Sequence, residues 1–254
     1  MRYLTPVLLG MALLALWEIW VSAASIPVFI LPPPSAIGAA LVDNFASLME
    51  ALWVTVKVTA AAFFWAAVSA IGLAIIFTRA RLIEMALYPY VVTLQVTPVV
   101  AIAPLILIWV GFDHVDRALV IIAWIVAFFP MLTNSVQGLR SVEPALHDVM
   151  TLSGANWWQR LIHLELPAAL PSILTGAKIS GGLALIGAVV AEFVAGSGAS
   201  TGLAWRIIEA GNRLQIATMF AALALLSALG IALFYTLTLA EFLLLRRWHD
   251  SYQR

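Results

Sequence analysis

Across 254 residues, 63% of side chains are hydrophobic and only 10% are charged, with a mean hydropathy of +1.03. Apolar runs recur that are long enough to cross about 30 Å of hydrocarbon, which marks an integral membrane protein. The 13 basic and 13 acidic side chains cancel, excluding a strong field for nucleic acid, and zero cysteines exclude disulfides, thiolate metal sites and a cysteine nucleophile.

The first apolar run, Leu4 to Ala24, is long for a cleavable leader and carries Glu18 and the bulky Trp17 and Trp20 toward its end. It is expected to be a retained first span. Further runs at roughly Leu52 to Thr78, Met85 to Val110, Ala118 to Val136, Pro171 to Ala195 and Ile216 to Leu245 bring the count to six helices. Backbone inside lipid must satisfy its own hydrogen bonds, and strand alternation is absent, so an all-α polytopic membrane protein is predicted. One transmembrane domain, residues 1–254, accounts for the whole chain. The Pro-rich turn Leu31 to Ser35 and the Gly/Ser tract Gly196 to Gly202 fall in connections.

Between the fourth and fifth spans lies a polar island, Val142 to Pro167, too hydrophilic to insert and patterned as helix, turn, helix. Gly154 suits a helix end or a close backbone approach, Asn156 can cap the next helix, and Pro167 is expected to end that helix before the fifth span. Orientation follows from the arginines near span ends. With the N-terminus inside, Arg2, Arg79, Arg81, Arg140, Arg160, Arg246, Arg247 and Arg254 are cytoplasmic, while Arg117, Arg206 and Arg213 face out. Both termini and the island are therefore expected on the cytoplasmic side.

Polar side chains at membrane depth are candidates for a solute path, because one at the bilayer centre costs on the order of 3 kcal/mol unless it faces protein or water. They are Glu18, Lys57, Gln95, Lys178, Glu192 and Glu241. Glu18 and Glu241 lie near span ends, where a structural partner or interfacial exposure explains them. Lys57 and Lys178 can snorkel from span ends. Gln95, with Thr97, Pro98 and Pro104, marks a kinked third span whose freed carbonyls can line a cavity. Glu192 sits near the outer end of a fifth span rich in small residues and suits a gate or salt bridge better than an anion ligand. The four histidines, His114, His147, His163 and His249, are scattered without metal-binding spacing, so no metal is expected.

Within the island, Asp148-Val149-Met150, three residues, Gly154, nine residues, then Leu164-Glu165-Leu166-Pro167 resembles the EAA signature of permease subunits of ABC importers, EAA-x3-G-x9-I-x-L-P. Every marked spacing matches, while Asp148, Val149, Met150 and Leu164 depart from it in identity. The stretches Gln95 to Gly111, Pro167 to Pro171 and Ala191-Glu192-Phe193 are similar to the nitrate, sulfonate and taurine branch of that family, which also holds permeases for pyrimidine precursors, riboflavin and aromatic acids.

The resemblance implies a type I ABC importer fold and a bacterial inner-membrane location. It further implies two permease copies forming a homodimer, two ATPase subunits, and an extracytoplasmic solute-binding protein. ATP and magnesium would belong to the ATPase, with no cofactor on this chain, whose spans would alternate access between the two sides. In that family a coupling helix docks on the ATPase. The corresponding residues here are Asp148, Gly154, Ala155, Asn156, Trp157, Trp158, Arg160, Leu166 and Pro167.

Adjacent tryptophans are strong interface anchors, although Trp157 and Trp158 can also be read as membrane-belt residues. No G-x4-G-K-[ST] loop occurs, and Gly196 to Gly202 is only a lookalike. Gly198 to Gly202 fits G-x-S-x-G, yet of the histidines only His114 is expected on its side, which disfavours a hydrolase. An ATP-independent carrier is the other alternative, and the island separates the two, since such a carrier needs no docking helix.

Overall fold

The computed structural model describes residues 4–195 and 202–246, and every regular element among them is helical. In chain order these are α1 (Leu4–Ala23), α2 (Pro34–Asp43), α3 (Phe45–Arg79), α4 (Arg81–Val96), α5 (Val99–Val110) and a 3-10 turn (Phe112–His114). Then follow α6 (Val115–Leu139), α7 (Pro144–Leu152), α8 (Trp157–Arg160), a π-helical turn (Leu161–Glu165), α9 (Leu166–Ala195), α10 (Leu203–Asn212) and α11 (Ile216–Leu245). Five stretches are long and apolar enough to cross a membrane: Thr5–Ala23, Phe45–Arg79, Phe112–Leu139, Trp157–Ala195 and Ile216–Leu245. The bent pair α4 and α5 makes a sixth if counted as one span.

Three expectations are corrected. The third span is not one kinked helix: α4 and α5 meet at 104°. Pro98 supplies no N–H, and the residue ahead of it, Thr97, is extended at φ −70°, ψ 126°, as a residue before proline prefers. The second span starts at Phe45 rather than Leu52, because its first turns need not lie in lipid and can carry Ser47 and Glu50. Pro167 does not end a helix. The stretch Trp157 to Ala195 runs on through it, because the wider π turn, with Leu166 N–H reaching Leu161 O, takes up the register change that an embedded proline demands.

By its contacts the chain groups into two compact units, residues 1–55 with 196–228 and residues 56–195 with 229–254. In the first, Glu18 on α1 accepts hydrogen bonds from Ser35 N (3.0 Å) and Ser35 Oγ (2.7 Å), closing the N-terminus of α2. Trp17 meets Phe220 edge-on with ring centroids 6.0 Å apart. Thr55 Oγ1 accepts from Leu203 N at 2.9 Å, capping α10 from α3. Only 6% of the apolar window of α1 is buried, so this helix offers nearly all its surface to its surroundings.

In the second unit α6 and α9 form the centre. Alanines of α3 (Ala62, Ala66), the α5 residues Ala103 and Ile106, and the α6 residues Leu119 and Ile122 close one core with Ala184, Ala188 and Ala191 of α9. A second core joins Phe77, Val91, Met131, Leu132, Leu161 and Ile173. Small residues let α6 and α9 approach closely: a Cβ at Gly187 would lie 2.7 Å from Ala123 Cα, and one at Gly176 2.7 Å from Asn134 Cβ. Between them Ser180 Oγ donates to Ala127 O at 2.8 Å.

Candidate functional site

The island folds as a nine-residue helix, a tight turn and a capped helix start. Gly154 has φ +70°, the left-handed region that glycine enters without Cβ strain. Its N–H bonds Thr151 O (3.0 Å) and the Ala155 N–H bonds Met150 O (3.0 Å), so α7 ends in a Schellman motif. Asn156 then closes a capping box: Gln159 N donates to the Asn156 side chain (2.9 Å), and Asn156 N donates to Gln159 Oε1 (2.8 Å). Arg160 Nε adds a bond to Ala155 O at 3.1 Å. Gly154 and Asn156 thus fix the turn from both sides.

That turn presents Trp157 and Trp158 stacked, with ring centroids 4.0 Å apart, at 49% and 54% exposure. α7 has no buried residue, and Leu146, Val149 and Leu152, the last 88% exposed, stand three residues apart along it. Asp148 is exposed on the same helix, Leu166 is half-buried at the start of α9, and Pro167 is exposed. The predicted residues from Gly154 to Arg160 therefore form one local structure, but not an isolated helix. The short helix precedes Gly154, and Trp157 to Arg160 is the first turn of a stretch continuous with the fifth span.

Sequence reasoning missed what anchors the island. Glu165, the unspecified residue of the motif, is 3% exposed and takes a salt bridge from Arg79 at the end of α3. The same guanidinium lies 5.9 Å from the Trp157 ring centroid. An acidic residue amid Leu164, Leu166 and Leu161 was the available signal. Arg140, at the end of α6, bonds Glu84 at 2.6 Å, and that hydrogen bond raises its guanidinium above the ordinary arginine value.

The membrane-depth candidates have separate fates. Lys178 does not snorkel: its Nζ meets Glu241 Oε2 at 2.7 Å, beside a cavity of about 460 Å³ lined in part by Thr175, Gly182 and Phe234. Glu192 is fully buried within α9. Fourteen residues separate it from Lys178, about 21 Å along a helix, so one small solute cannot touch both. Gln95 and Pro98 are exposed, and Thr97 Oγ1 returns a bond to Thr93 O at 2.7 Å. Lys57 is exposed on α3. The tract 196–201, with the serine of the G-x-S-x-G match, and His249 lie outside the described residues. Among the described residues no cluster of His, Asp and Glu could hold a metal ion.

Residues 66–246 match the family model described as "Binding-protein-dependent transport system inner membrane component". The chain is 36% identical to the riboflavin transport system permease protein RibX of Chloroflexus aurantiacus, over 95% of this chain and 88% of that one. It is 30% identical to the putative aliphatic sulfonates transport permease protein SsuC of Bacillus subtilis, over 99% and 90%. To the formylaminopyrimidine transport permease protein ThiX of Halalkalibacterium halodurans it is 31% identical, over 95% of each. A multi-pass helical fold, a motif-bearing polar island and full-length similarity to transport permeases agree, and the chain belongs to the binding-protein-dependent transport system inner membrane component family, the permease components of ABC transporters.

Proposed function

We propose that this chain is one half of the solute path of an ATP-driven importer, and that residues 142–167 dock a separate ATP-hydrolysing subunit. The observation that carries this is the exposed apolar face of the island, Leu146, Val149 and Leu152 on α7, which belongs to no candidate span, followed by Trp157 and Trp158 at the start of the fifth. Exposed apolar patches rimmed by polar residues mark protein interfaces, and large aromatics dominate their energy. The Schellman turn and capping box keep this face from rearranging when a partner arrives, which lowers the entropic cost of docking.

Continuity of Trp157 to Ala195 makes the fifth span a lever. When ATP, held with magnesium on the partner, closes an ATPase pair, the island moves with it and the spans rock to open toward an extracytoplasmic binding protein. Hydrolysis resets them. Two copies of this chain complete the path, with both termini on the cytoplasmic side. The relatives' riboflavin, sulfonates and formylaminopyrimidine favour a small anion or a small heterocycle as solute.

The test is copurification in mild detergent from the native membrane, beside Gly154→Arg. A Cβ at Gly154 meets nothing within 4 Å, so the substitution strains the turn at φ +70° without touching the cores. A soluble ATPase recovered with the native chain and lost with the variant is the expected result. Equal recovery with both, or the native chain alone at good yield, contradicts the docking role.

A further inference from the structure

A cavity of about 720 Å³ opens where α3 ends, α4 begins and α6 ends, a size typical of ligand sites. Arg79, Arg81 and Arg140 all line it, against the single lining carboxylate of Glu84. Arg140 is paired with Glu84 and Arg79 with Glu165. Among the described residues Arg81 makes no salt bridge, so the cavity carries a surplus positive charge. α4 also starts here behind Ala80, which offers no side-chain cap, and the positive end of a 16-residue helix adds to the field.

Deeper along α4 the lining turns apolar. Met85 and Tyr88, one and two turns beyond Arg81, are both exposed. A free anion would use the arginines alone; an amphiphile uses both halves of the wall.

We propose that this cavity binds a phosphate-bearing anion, and that its source is the headgroup of an anionic phospholipid whose acyl chain lies along Met85 and Tyr88. Guanidinium groups match phosphate oxygens in forked pairs, and basic pockets between spans at the membrane face take such headgroups. The cavity borders the docking island through Arg79, which pairs with Glu165 and lies over Trp157, so the test rests on Arg81 and Glu84, which make no contact with the tryptophan pair.

The full chain, delipidated in neutral detergent, is titrated with dioleoyl phosphatidylglycerol or dioleoyl phosphatidylcholine and its adducts counted by native mass spectrometry. Phosphatidylglycerol should bind in preference. Arg81→Gln should weaken it about fivefold, the worth of one arginine near a charged surface, with phosphatidylcholine unchanged. Glu84→Gln, which releases Arg140, should tighten phosphatidylglycerol by a similar factor, a gain that misfolding does not produce. Equal binding of the two lipids, or indifference to both substitutions, overturns the site. Displacement of phosphatidylglycerol by equimolar inorganic phosphate would assign the cavity to a free anion and overturn the lipid source.

Discussion

Lys178 and Glu241 show what a charge inside a span requires. Their side chains are 27% and 9% exposed and meet at 2.7 Å, so removing one partner leaves the other without compensation in a poorly solvated place. Lys178→Met should therefore cost on the order of 3 kcal/mol, and a further Glu241→Leu should recover most of it. Thermal unfolding of the single and double variants in detergent measures both. A double variant as unstable as the single would show that the two charges do not act as a pair. The sequence exposed each of these residues as anomalous, one as a snorkelling lysine and one as a carboxylate in need of a partner. It did not join them, because they are 63 positions apart and nothing in a lone sequence sets the relative depth of two helices. Arg79 and Glu165, 86 positions apart, were hidden for the same reason.

Among the elements, α9 carries its small residues with a direction that composition alone does not give. Gly176 and Gly187 face α6, Gly181 faces Leu237 of α11, and Gly182 faces open space. Gly187→Leu should overpack the α6 contact and cost about 1–3 kcal/mol, whereas Gly182→Leu should be nearly neutral. Comparable losses at both positions would refute the assignment of faces.

The break between α4 and α5 is the second element-scale feature. Because the chain has no cysteine, spin labels at Leu82→Cys and Trp109→Cys report it directly. An unbroken helix would hold these positions roughly 40 Å apart, and the 104° bend predicts less than about 30 Å. A distance near the longer value would mean a straight span. Pro98 made a kink legible in the sequence; the size of the turn was not, since a proline sets what the backbone cannot do rather than where it goes. The same limit explains Pro167, which reads as a terminator until the π turn at Leu161–Glu165 makes room for it.

For the whole molecule, hydropathy marked the long apolar helices that can cross lipid, and the spacing around Gly154 marked the turn of the polar island between two of them. Helix length past the hydrocarbon boundary was not legible, because Phe45 to Ala51 meets the same helical preferences in water as in lipid. Nor was the grouping of contacts into two units, each of which shares α3 and α11 with the other.

The long stretch Trp157 to Ala195 opens with an exposed, stacked aromatic pair. The claim that this pair docks on an ATPase is met most directly by photo-crosslinking in the native cell. A benzoylphenylalanine replaces Trp157 or Trp158, and Ile231, exposed on α11, serves as control. A crosslinked adduct containing a soluble ATPase chain is expected from both tryptophan positions and none from Ile231. Absence of that adduct from the tryptophan positions, or its formation equally from all three, would contradict the docking role.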